Sequence, residues 1–356
     1  MPIIATSSWM EDLSYYLQNF RNKRVLDLTI PGSHDAATYT LTHSCSSAFA
    51  VTQTKTLKDQ FHLGVRYFDI RIKRQRETKA SFYRTTTHNK LKYGFAPTDR
   101  LQYFHGLVKS QKDDGLEGMR RFLAAVTASS EVVILKLDFG SFGDFSQFSE
   151  LYLNGPINEH IFSGGDLQTQ TIGQMQANNK NIILLTKGFA SDISSDYKEN
   201  SFGKWAKTRK PEKLASVMNN IRNRVGTADA NKIKVVQTNQ PALVGSGGNR
   251  FTSVLEQDKK PESRTITEKF VSEARNDLIT AFKSGNAIAV RLVSQAVRGV
   301  ISLDNIGSDE NKNQLIHRII ELNLGELLLT CVNVDKPSDR KVEHQESQKW
   351  CYKFVI

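Results

Sequence analysis

Short, continuously apolar runs alternate with amphipathic segments along nearly the whole chain. The apolar runs are rich in β-branched residues, which is typical of strands that are covered on both faces. The predicted strands are Val25–Ile30, Gly64–Ile72, Leu101–His105, Glu131–Phe139, Asn181–Lys187, Ile233–Thr238, Ala287–Val293 and Leu327–Asp335. This alternation predicts repeated βα units around a parallel sheet.

Amphipathic helices are predicted in three of the intervening or flanking segments. Apolar residues recur at helical intervals from Ser8 to Phe20 and from Thr267 to Ser284, where Gly285 follows as a stop signal. A third helix is predicted from about Asn311 to Leu322. Eight strands with helical crossovers fit a (β/α)8 barrel, and a doubly wound open sheet fits the same pattern almost as well.

Composition excludes several classes of protein. The 356 residues are 39% apolar and 24% charged, which is ordinary for a globular chain. No apolar stretch reaches the roughly 18 residues that a membrane span needs. The three cysteines are too scattered for a disulfide framework or a zinc site. The first residues lack a secretory signal pattern, so we expect a cytoplasmic protein, or export after signal removal or by a non-classical route.

The chain is basic, with a net charge of +11 from 48 Lys and Arg against 37 Asp and Glu. Such a surplus favours an anionic partner, either a nucleic acid or an anionic membrane surface. The stretch from Arg71 to Arg100 contains nine Lys or Arg against Glu77 and Asp99. No helix-turn-helix, RRM or zinc-finger signature is present, so we expect transient binding to an anionic phospholipid membrane surface and no nucleic-acid partner.

Charged and polar residues interrupt or follow the predicted strands, mostly at the same end. They are His34 and Asp35 after the first strand, Asp69 and Arg71 in the second, His105 in the third, Lys136 and Asp138 in the fourth, Lys187 in the fifth and Asp335 in the eighth. Charges inside apolar strands are costly to bury unless they are paired. Since the carboxyl ends of barrel strands carry the chemistry, this repeated feature predicts one active site.

The residue types in this set suit phosphoryl transfer. His34 and His105 can serve as one general base and one general acid. Each histidine needs a carboxylate to orient it, and Asp35 and Asp335 are available. The planar guanidinium of Arg71 matches phosphate oxygens. This arrangement is typical of in-line cleavage of a phosphodiester to a cyclic phosphate, and no Gly-x-Ser-x-Gly elbow offers a competing nucleophile.

Three motifs carry a resemblance to a known family. Pro31-Gly-Ser-His-Asp-Ala-Ala-Thr38, Gly64-Val-Arg-Tyr-Phe-Asp-Ile-Arg71 and Phe104-His105-Gly106 resemble the X domain of phosphatidylinositol-specific phospholipases C. The resemblance is strong over about residues 20 to 190. It implies an α/β fold, a distorted (β/α)8 TIM barrel, as a single domain over residues 1–356. Within it we expect an N-terminal helix at 1–22, the barrel at 23–340 and a C-terminal extension at 341–356.

The resemblance also implies a role for each catalytic candidate. His34 matches the general base that deprotonates the inositol 2-hydroxyl, and His105 matches the general acid that protonates the departing diacylglycerol oxygen. The product would be inositol 1,2-cyclic phosphate. Asp35 would pair with His105, and Asp335 with His34. The remaining member of the catalytic set is Arg71, which with Asp69 nearby would hold the phosphate.

The substrate-binding and cofactor predictions follow from the same resemblance. Lys136 and Lys187 match residues that bind inositol hydroxyls. Thr238 and Gln240 are further substrate-binding candidates, although the bacterial branch tends to offer an acidic and an aromatic residue there. Arg71 stands where the calcium-dependent branch has an acidic metal ligand, so we expect the metal-independent, bacterial-type branch, with no metal and no cofactor.

Two alternative functions stay open at this level. The departure around Thr238 leaves room for a phosphodiesterase acting on another lipid or a glycosyl-inositol headgroup. A catalytically silent lipid-binding protein with the same fold is disfavoured, because His34, His105 and Arg71 are all present. We expect a monomer that acts on phosphatidylinositol.

Overall fold

A mostly parallel sheet organises the computed structural model of the chain. The structure describes residues 4–41, 50–81, 92–106, 108–110, 114–163, 167–204, 211–222, 229, 231–239, 243–244, 251–252, 261–284 and 286–324. The strands are β1 (Thr29–Ser33), β2 (Tyr67–Ser81), β3 (Lys92–His105), β4 (Val108–Lys109), β5 (Val133–Phe139), β6 (Ile182–Thr186), β7 (Ser195–Asp196), β8 (Ser201–Lys204), β9 (Ile233–Gln237), β10 (Leu243–Val244), β11 (Phe251–Thr252) and β12 (Gly299–Leu303).

Helices connect or flank these strands. They are α1 (Trp9–Tyr16), α2 (Gln18–Arg21), α3 (Leu57–His62), α4 (Asp114–Thr127), α5 (Phe142–Phe148), α6 (Pro156–Glu159), α7 (Ile172–Ala177), α8 (Tyr197–Asn200), α9 (Pro211–Arg222), α10 (Pro261–Lys283), α11 (Ala287–Val297) and α12 (Glu310–Glu321). Within the described ranges, none of the helices combines the length and the apolar character that crossing a membrane would require.

The order of the strands distinguishes a barrel from an open sheet. The parallel strands lie in the order β7-β6-β5-β2-β1-β12-β9-β8, so that β12, late in the chain, pairs with β1 near its start. A doubly wound sheet instead reverses its strand order at a switch point. The eight strands curl as a distorted (β/α)8 barrel, which confirms the predicted fold class.

The second and third predicted strands form a hairpin. β2 runs well past its parallel neighbours and pairs antiparallel with β3, in a register that places Ile72 opposite Tyr103. The prediction that Leu101–His105 is one of eight barrel strands with crossovers was therefore wrong. The hairpin instead returns His105 to the neighbourhood of Arg71, and a left-handed turn at Gly106, with φ of 57°, ends β3 there.

The predicted strand Ala287–Val293 was also wrong, because these residues begin helix α11. Asn286 caps the helix by accepting a hydrogen bond from the backbone N–H of Ala289, at 3.0 Å. The fully buried Val290 and the exposed Ile288 and Leu292 lie on different faces. The apolar, β-branched character of these residues favoured a strand, but the Asn286 cap and the helical spacing of buried and exposed positions stabilise a helix.

The strand that pairs with β1 is β12, which the sequence interpretation passed over. Its five residues are all buried between β1 and β9. The predicted eighth strand, Leu327–Asp335, lies outside the described residues, as does the predicted extension at 341–356. The first predicted strand begins later than expected, because Val25–Asp27 forms a 3-10 turn before β1. The division of the chain at residues 22 and 340 stays a prediction.

A buried ion pair attaches the N-terminal helix to the amino-terminal end of the barrel. Arg66 and Glu131 have fully buried side chains, and Arg66 Nη2 lies 2.6 Å from Glu131 Oε2. Glu131 also accepts hydrogen bonds from the backbone N–H groups of Met10 and Glu11 in the first turn of α1. The carboxylate therefore satisfies helix donors that would otherwise lack partners.

Candidate active site

Charged side chains from several strands converge at the carboxyl ends of the barrel strands. Parallel pairing places Asp69 of β2 beside Lys136 of β5, and Arg71 beside Asp138. Side chains two residues apart on a strand share a face, so both pairs point to the same side of the sheet. The complete group is His34 and Asp35 after β1, Asp69 and Arg71 on β2, His105 at the end of β3, Lys136 on β5 and Asp304 after β12.

The turn after β1 is held in place by backbone and side-chain hydrogen bonds. The N–H of His34 donates to the carbonyl oxygen of Leu303, at 3.0 Å. The side chain of the fully buried Gln53 donates to the carbonyl oxygens of both His34 and Leu303. Asp35 adopts a φ of 43°, in the left-handed region that few non-glycine residues occupy. These bonds fix the two side chains that follow β1 against the end of β12.

His34 is oriented by a carboxylate from the opposite part of the chain. Its Nδ1 donates to Asp304 Oδ1 at 2.8 Å, and the Asp304 side chain is buried. The sequence interpretation assigned this role to Asp335, which lies outside the described residues. Asp304 was missed, although it directly follows the short β-branched run of β12, as His34 directly follows β1. Its position directly after an apolar, β-branched run was the sequence signal that could have identified Asp304 as a site residue.

Asp35 lies between one guanidinium group and two imidazole rings. Its Oδ1 is 2.7 Å from Arg71 Nε, and its Oδ2 is 3.1 Å from His105 Nε2 and 3.3 Å from His34 Nε2. The carboxylate is buried, whereas the Arg71 side chain is 27% exposed and the His105 side chain 24% exposed. The two imidazole rings therefore approach one carboxylate oxygen, beside a guanidinium that solvent or a ligand can reach.

The two histidines differ in basicity because their carboxylate neighbours differ. Burial by itself lowers the pKa of His34, but the charges of Asp35 and Asp304 outweigh burial and raise that pKa to about 9. The pKa of His105 is lowered, because burial and the positive charge of Arg71 outweigh the attraction of Asp35. At neutral pH the pair therefore holds one proton, and in the free protein this proton resides on His34.

A second ion pair lies deeper in the barrel. Lys136 Nζ donates to Asp69 Oδ2 at 2.8 Å, and both side chains are buried. Burial raises the pKa of Asp69, but the charge of Lys136 outweighs it and holds that pKa below its ordinary value. The Lys136 ammonium also lies 4.9 Å from the centre of the Tyr197 ring. This wall of the site combines a fixed positive charge with an aromatic face.

The other predicted substrate-binding residues lie further from this centre or outside the described chain. Lys187 follows β6, is about half exposed, and its Nζ lies 2.5 Å from Asp138 Oδ2. The Thr238 hydroxyl donates to the carbonyl oxygen of Ser302 in the sheet, at 3.0 Å. Gln240 lies outside the described residues. The structure thus brings together the five predicted catalytic residues that it describes, His34, Asp35, Asp69, Arg71 and His105.

Three acidic or imidazole groups in the site are close enough to share a cation. Ligand atoms of His34, Asp35 and Asp69 lie within 4.8 Å of one another. Arg71 and Lys136, however, already place positive charges on Asp35 and Asp69. A metal ion would have to overcome this repulsion, so the charge arrangement favours an anionic ligand.

The fold is that of the bacterial phosphatidylinositol-specific phospholipases C. The enzyme from Listeria monocytogenes has a TM-score of 0.59 at 16% identity, covering 90% of this chain and 99% of that chain. The F249X mutant of the enzyme from Staphylococcus aureus has a TM-score of 0.60 at 18% identity, covering 90% of this chain and 98% of that chain. No family model matches the chain.

Curated relatives show the same similarity at the level of sequence. A 1-phosphatidylinositol phosphodiesterase of Staphylococcus aureus strain Newman is 26% identical over 208 residues, covering 56% of this chain. The match spans 57% of that relative's length, and 54% of the length of a second Staphylococcus aureus protein with the same description. The chain is therefore similar to bacterial-type phospholipases C, which confirms the resemblance drawn from the motifs.

Proposed function

We propose that the protein is a metal-independent phosphodiesterase that cleaves phosphatidylinositol to diacylglycerol and inositol 1,2-cyclic phosphate. The observation that carries this proposal is the position of Asp35, in contact with His34, His105 and Arg71 together. Two imidazoles and a guanidinium around one point supply a base, an acid and a phosphate ligand. The similarity to phosphatidylinositol phosphodiesterases supports the choice of substrate.

In the proposed reaction, His34 Nε2 accepts the proton of the inositol 2-hydroxyl. The 2-oxygen forms a new bond to phosphorus, and the bond from phosphorus to the diacylglycerol oxygen breaks. His105 donates its proton to that leaving oxygen, so diacylglycerol departs as a neutral alcohol. Arg71 hydrogen-bonds the non-bridging phosphate oxygens, where negative charge increases in the transition state. Water reopens the cyclic phosphate slowly with the two histidines in exchanged roles.

The ionisation of the pair sets a condition for this reaction. The cleavage step needs the single proton on His105, whereas in the free protein it resides on His34. Asp35 Oδ2 lies close to both Nε2 atoms, so the proton can be redistributed without a change in total charge. Activity is therefore expected while the pair holds one proton, and it falls when the pair holds two or none.

For the headgroup, we propose that Lys136 contacts inositol hydroxyls beside the Tyr197 ring, with Lys187 at the outer edge. Thr238 and Gln240 remain candidates for the far side of the sugar. Because the Thr238 hydroxyl already donates to Ser302, it can only accept hydrogen bonds from a ligand. Hydroxyl groups of inositol can donate to it, as can those of a glycosyl-inositol or another lipid headgroup, so this contact suits the proposed substrate and the alternative class equally.

Attachment to an anionic membrane is proposed at the same end of the barrel. Phe142, just beyond β5, is 57% exposed and packs against Phe189 with ring centres 5.2 Å apart. Lys187 follows β6 at the same end. An exposed aromatic ring beside a lysine suits shallow, transient binding to an anionic leaflet. A monomeric enzyme is sufficient for this mode of action.

The direct test is ³¹P NMR of phosphatidylinositol in mixed micelles with the purified protein and excess EGTA. We expect a cyclic phosphodiester resonance to appear, while the His34→Ala variant gives none. Loss of activity on adding EGTA would contradict the metal-independent mechanism. Product from a glycosyl-inositol lipid alone would select the alternative substrate class. Absence of product from both lipids would overturn the proposed activity.

A further inference from the structure

A basic cleft lies at the amino-terminal end of the barrel, away from the candidate active site. Its volume is about 510 Å³. Its lining residues are all polar or charged: Asn19, Asn22, Lys23, Arg24, Asp27, Arg291, Gln295 and Arg298. Asp27 precedes β1 and Arg298 precedes β12, whereas His34 and Asp304 follow those strands. The cleft and the catalytic histidines therefore lie at opposite ends of the same two strands.

Two walls form the cleft, and each presents one polar stripe. Arg291, Gln295 and Arg298 are spaced four and three residues apart, so they share one face of α11 and of its C-cap. The opposite wall consists of Asn19, Asn22 and Lys23, around the short helix α2. Cations and amides from two distant parts of the chain thus face a common space.

Asp27 orients two of the guanidinium groups. It accepts hydrogen bonds from Arg24 Nε and Nη2, both at 2.8 Å, and from Arg298 Nη1 at 2.9 Å. Holding arginines in place before a ligand arrives reduces the side-chain entropy lost on binding. This triad also has a structural role, because it ties the segment before β1 to the end of α11.

The cations of the cleft outnumber its carboxylate. Among the described residues that line the cleft, Lys23, Arg24, Arg291 and Arg298 are cationic, and Asp27 is the one acidic residue. Arg291 forms no ion pair with any residue that the structure describes. The helix dipole accounts for a cation at the C-cap, but its effect fades beyond the last turn. Arg291 lies in the middle of α11, and Lys23 and Arg24 lie on another segment, so the dipole of α11 does not account for these three cations.

We propose that this cleft is a second anion-binding site, which takes a phosphate-bearing anion of up to the size of a sugar phosphate. The volume lies within the range of small-molecule sites, and paired arginines suit phosphate oxygens. The ligand is a free phosphorylated anion or the headgroup of an anionic phospholipid. The lipid source is included because Ile288 and Leu292, 72% and 60% exposed, lie on the same side of α11 as Arg291.

The test is isothermal titration calorimetry with pyrophosphate at about 150 mM salt, where distant surface charges are screened. The Arg71→Gln variant serves as the background, so that the candidate active site does not contribute its own phosphate contact. We expect one remaining site. Adding Arg291→Gln should weaken that site by about tenfold or more, which is the loss of one charge-assisted contact. Gln295→Glu, which places a negative charge on the same wall, should weaken it similarly.

The matched control is Arg121→Gln on α4, which removes the same charge from another exposed helix position. It should leave pyrophosphate affinity within about twofold, since a single distant surface charge is screened. Equal weakening by Arg121→Gln and Arg291→Gln, or no binding in the Arg71→Gln background, would overturn the proposal. Vesicles with and without phosphatidylglycerol separate the two sources. If the ligand is a free anion, the protein binds pyrophosphate, and Arg291→Gln does not change its binding to vesicles. If the ligand is a lipid headgroup, Arg291→Gln weakens both pyrophosphate binding and binding to phosphatidylglycerol vesicles.

Discussion

Two arginines five residues apart, one just before β2 and one within it, show how differently the same kind of ion pair can be used. Arg66 precedes β2 and contacts Glu131, and Arg71 lies within β2 and contacts Asp35. Both carboxylates are buried. The Arg66 side chain is also fully buried, but the Arg71 side chain is 27% exposed. Both arginines form an ion pair, so the first difference between them is that a ligand can reach Arg71 and cannot reach Arg66.

The second difference is hydrogen-bond satisfaction. Beyond Glu131, Arg66 donates to the carbonyl oxygens of Phe61, Val65 and Ser7. In the candidate active site, the oxygens of Asp35 contact two imidazoles and a guanidinium without aligned hydrogen bonds, and Asp69 Oδ1 has no hydrogen-bond partner among the described residues. A buried network with every group satisfied holds structure together, whereas unsatisfied buried groups are typical of sites that await a ligand.

The largest effect that would separate the two arginine sites is loss of turnover on changing the histidines beside Asp35 and Arg71. His34→Ala and His105→Ala should each lower kcat by about 10³-fold, near the middle of the range for a lost general base or acid. Thermal unfolding of His105→Ala should change little, because that ring is 24% exposed. His34→Ala should unfold at a lower temperature, because it removes the cationic imidazole that pairs with the buried Asp304 carboxylate. Turnover is measured by cyclic phosphate formation. Near-normal turnover in either variant would contradict the assignment of the histidines.

The complementary change is at the buried pair of Arg66 and Glu131. Glu131→Gln should reduce the free energy of unfolding by about 3–5 kcal/mol, because it leaves Arg66 buried without a counter-charge. Folded enzyme at low temperature should keep its kcat. Urea unfolding and initial rates measure the two quantities. Arg71→Met is the matched variant, which should lose activity and lose less stability than Glu131→Gln, because the Arg71 side chain is 27% exposed and Asp35 keeps His34 as a neighbour. If Glu131→Gln lowers kcat as much as Arg71→Met does, the Arg66–Glu131 pair is not purely structural, and the comparison fails.

A smaller effect sharpens the role of Asp304. The pKa of His34, about 9, and the lowered pKa of His105 predict a bell-shaped dependence of kcat/KM on pH. Rates should fall below the His105 pKa, where both rings are charged, and above about 9, where both are neutral. Asp304→Asn removes a charge that raises the His34 pKa, so the alkaline limb should move to lower pH. An unchanged limb would show that Asp304 does not set the ionisation of His34.

Much of the site was predictable, because its residues lie at local landmarks. His34 and Asp35 follow an apolar strand, and Asp69 and Arg71 alternate within the next one. Each of these positions is visible within a few residues of sequence. The motif around His105 was equally local, yet its strand was placed wrongly in the barrel, since local periodicity does not show whether a strand pairs parallel or antiparallel with the strand before it.

The sequence by itself determined the alternation of strands and helices, the strand-end residues and their chemistry, because these follow from short-range periodicity. Only the tertiary structure decided that Asp304 orients His34, since that contact depends on β12 pairing with β1. Only the tertiary structure distinguished Arg66 from Arg71. Two arginines on one segment look alike in sequence, and the burial and partners that separate them come from strands and helices brought together by the closing sheet.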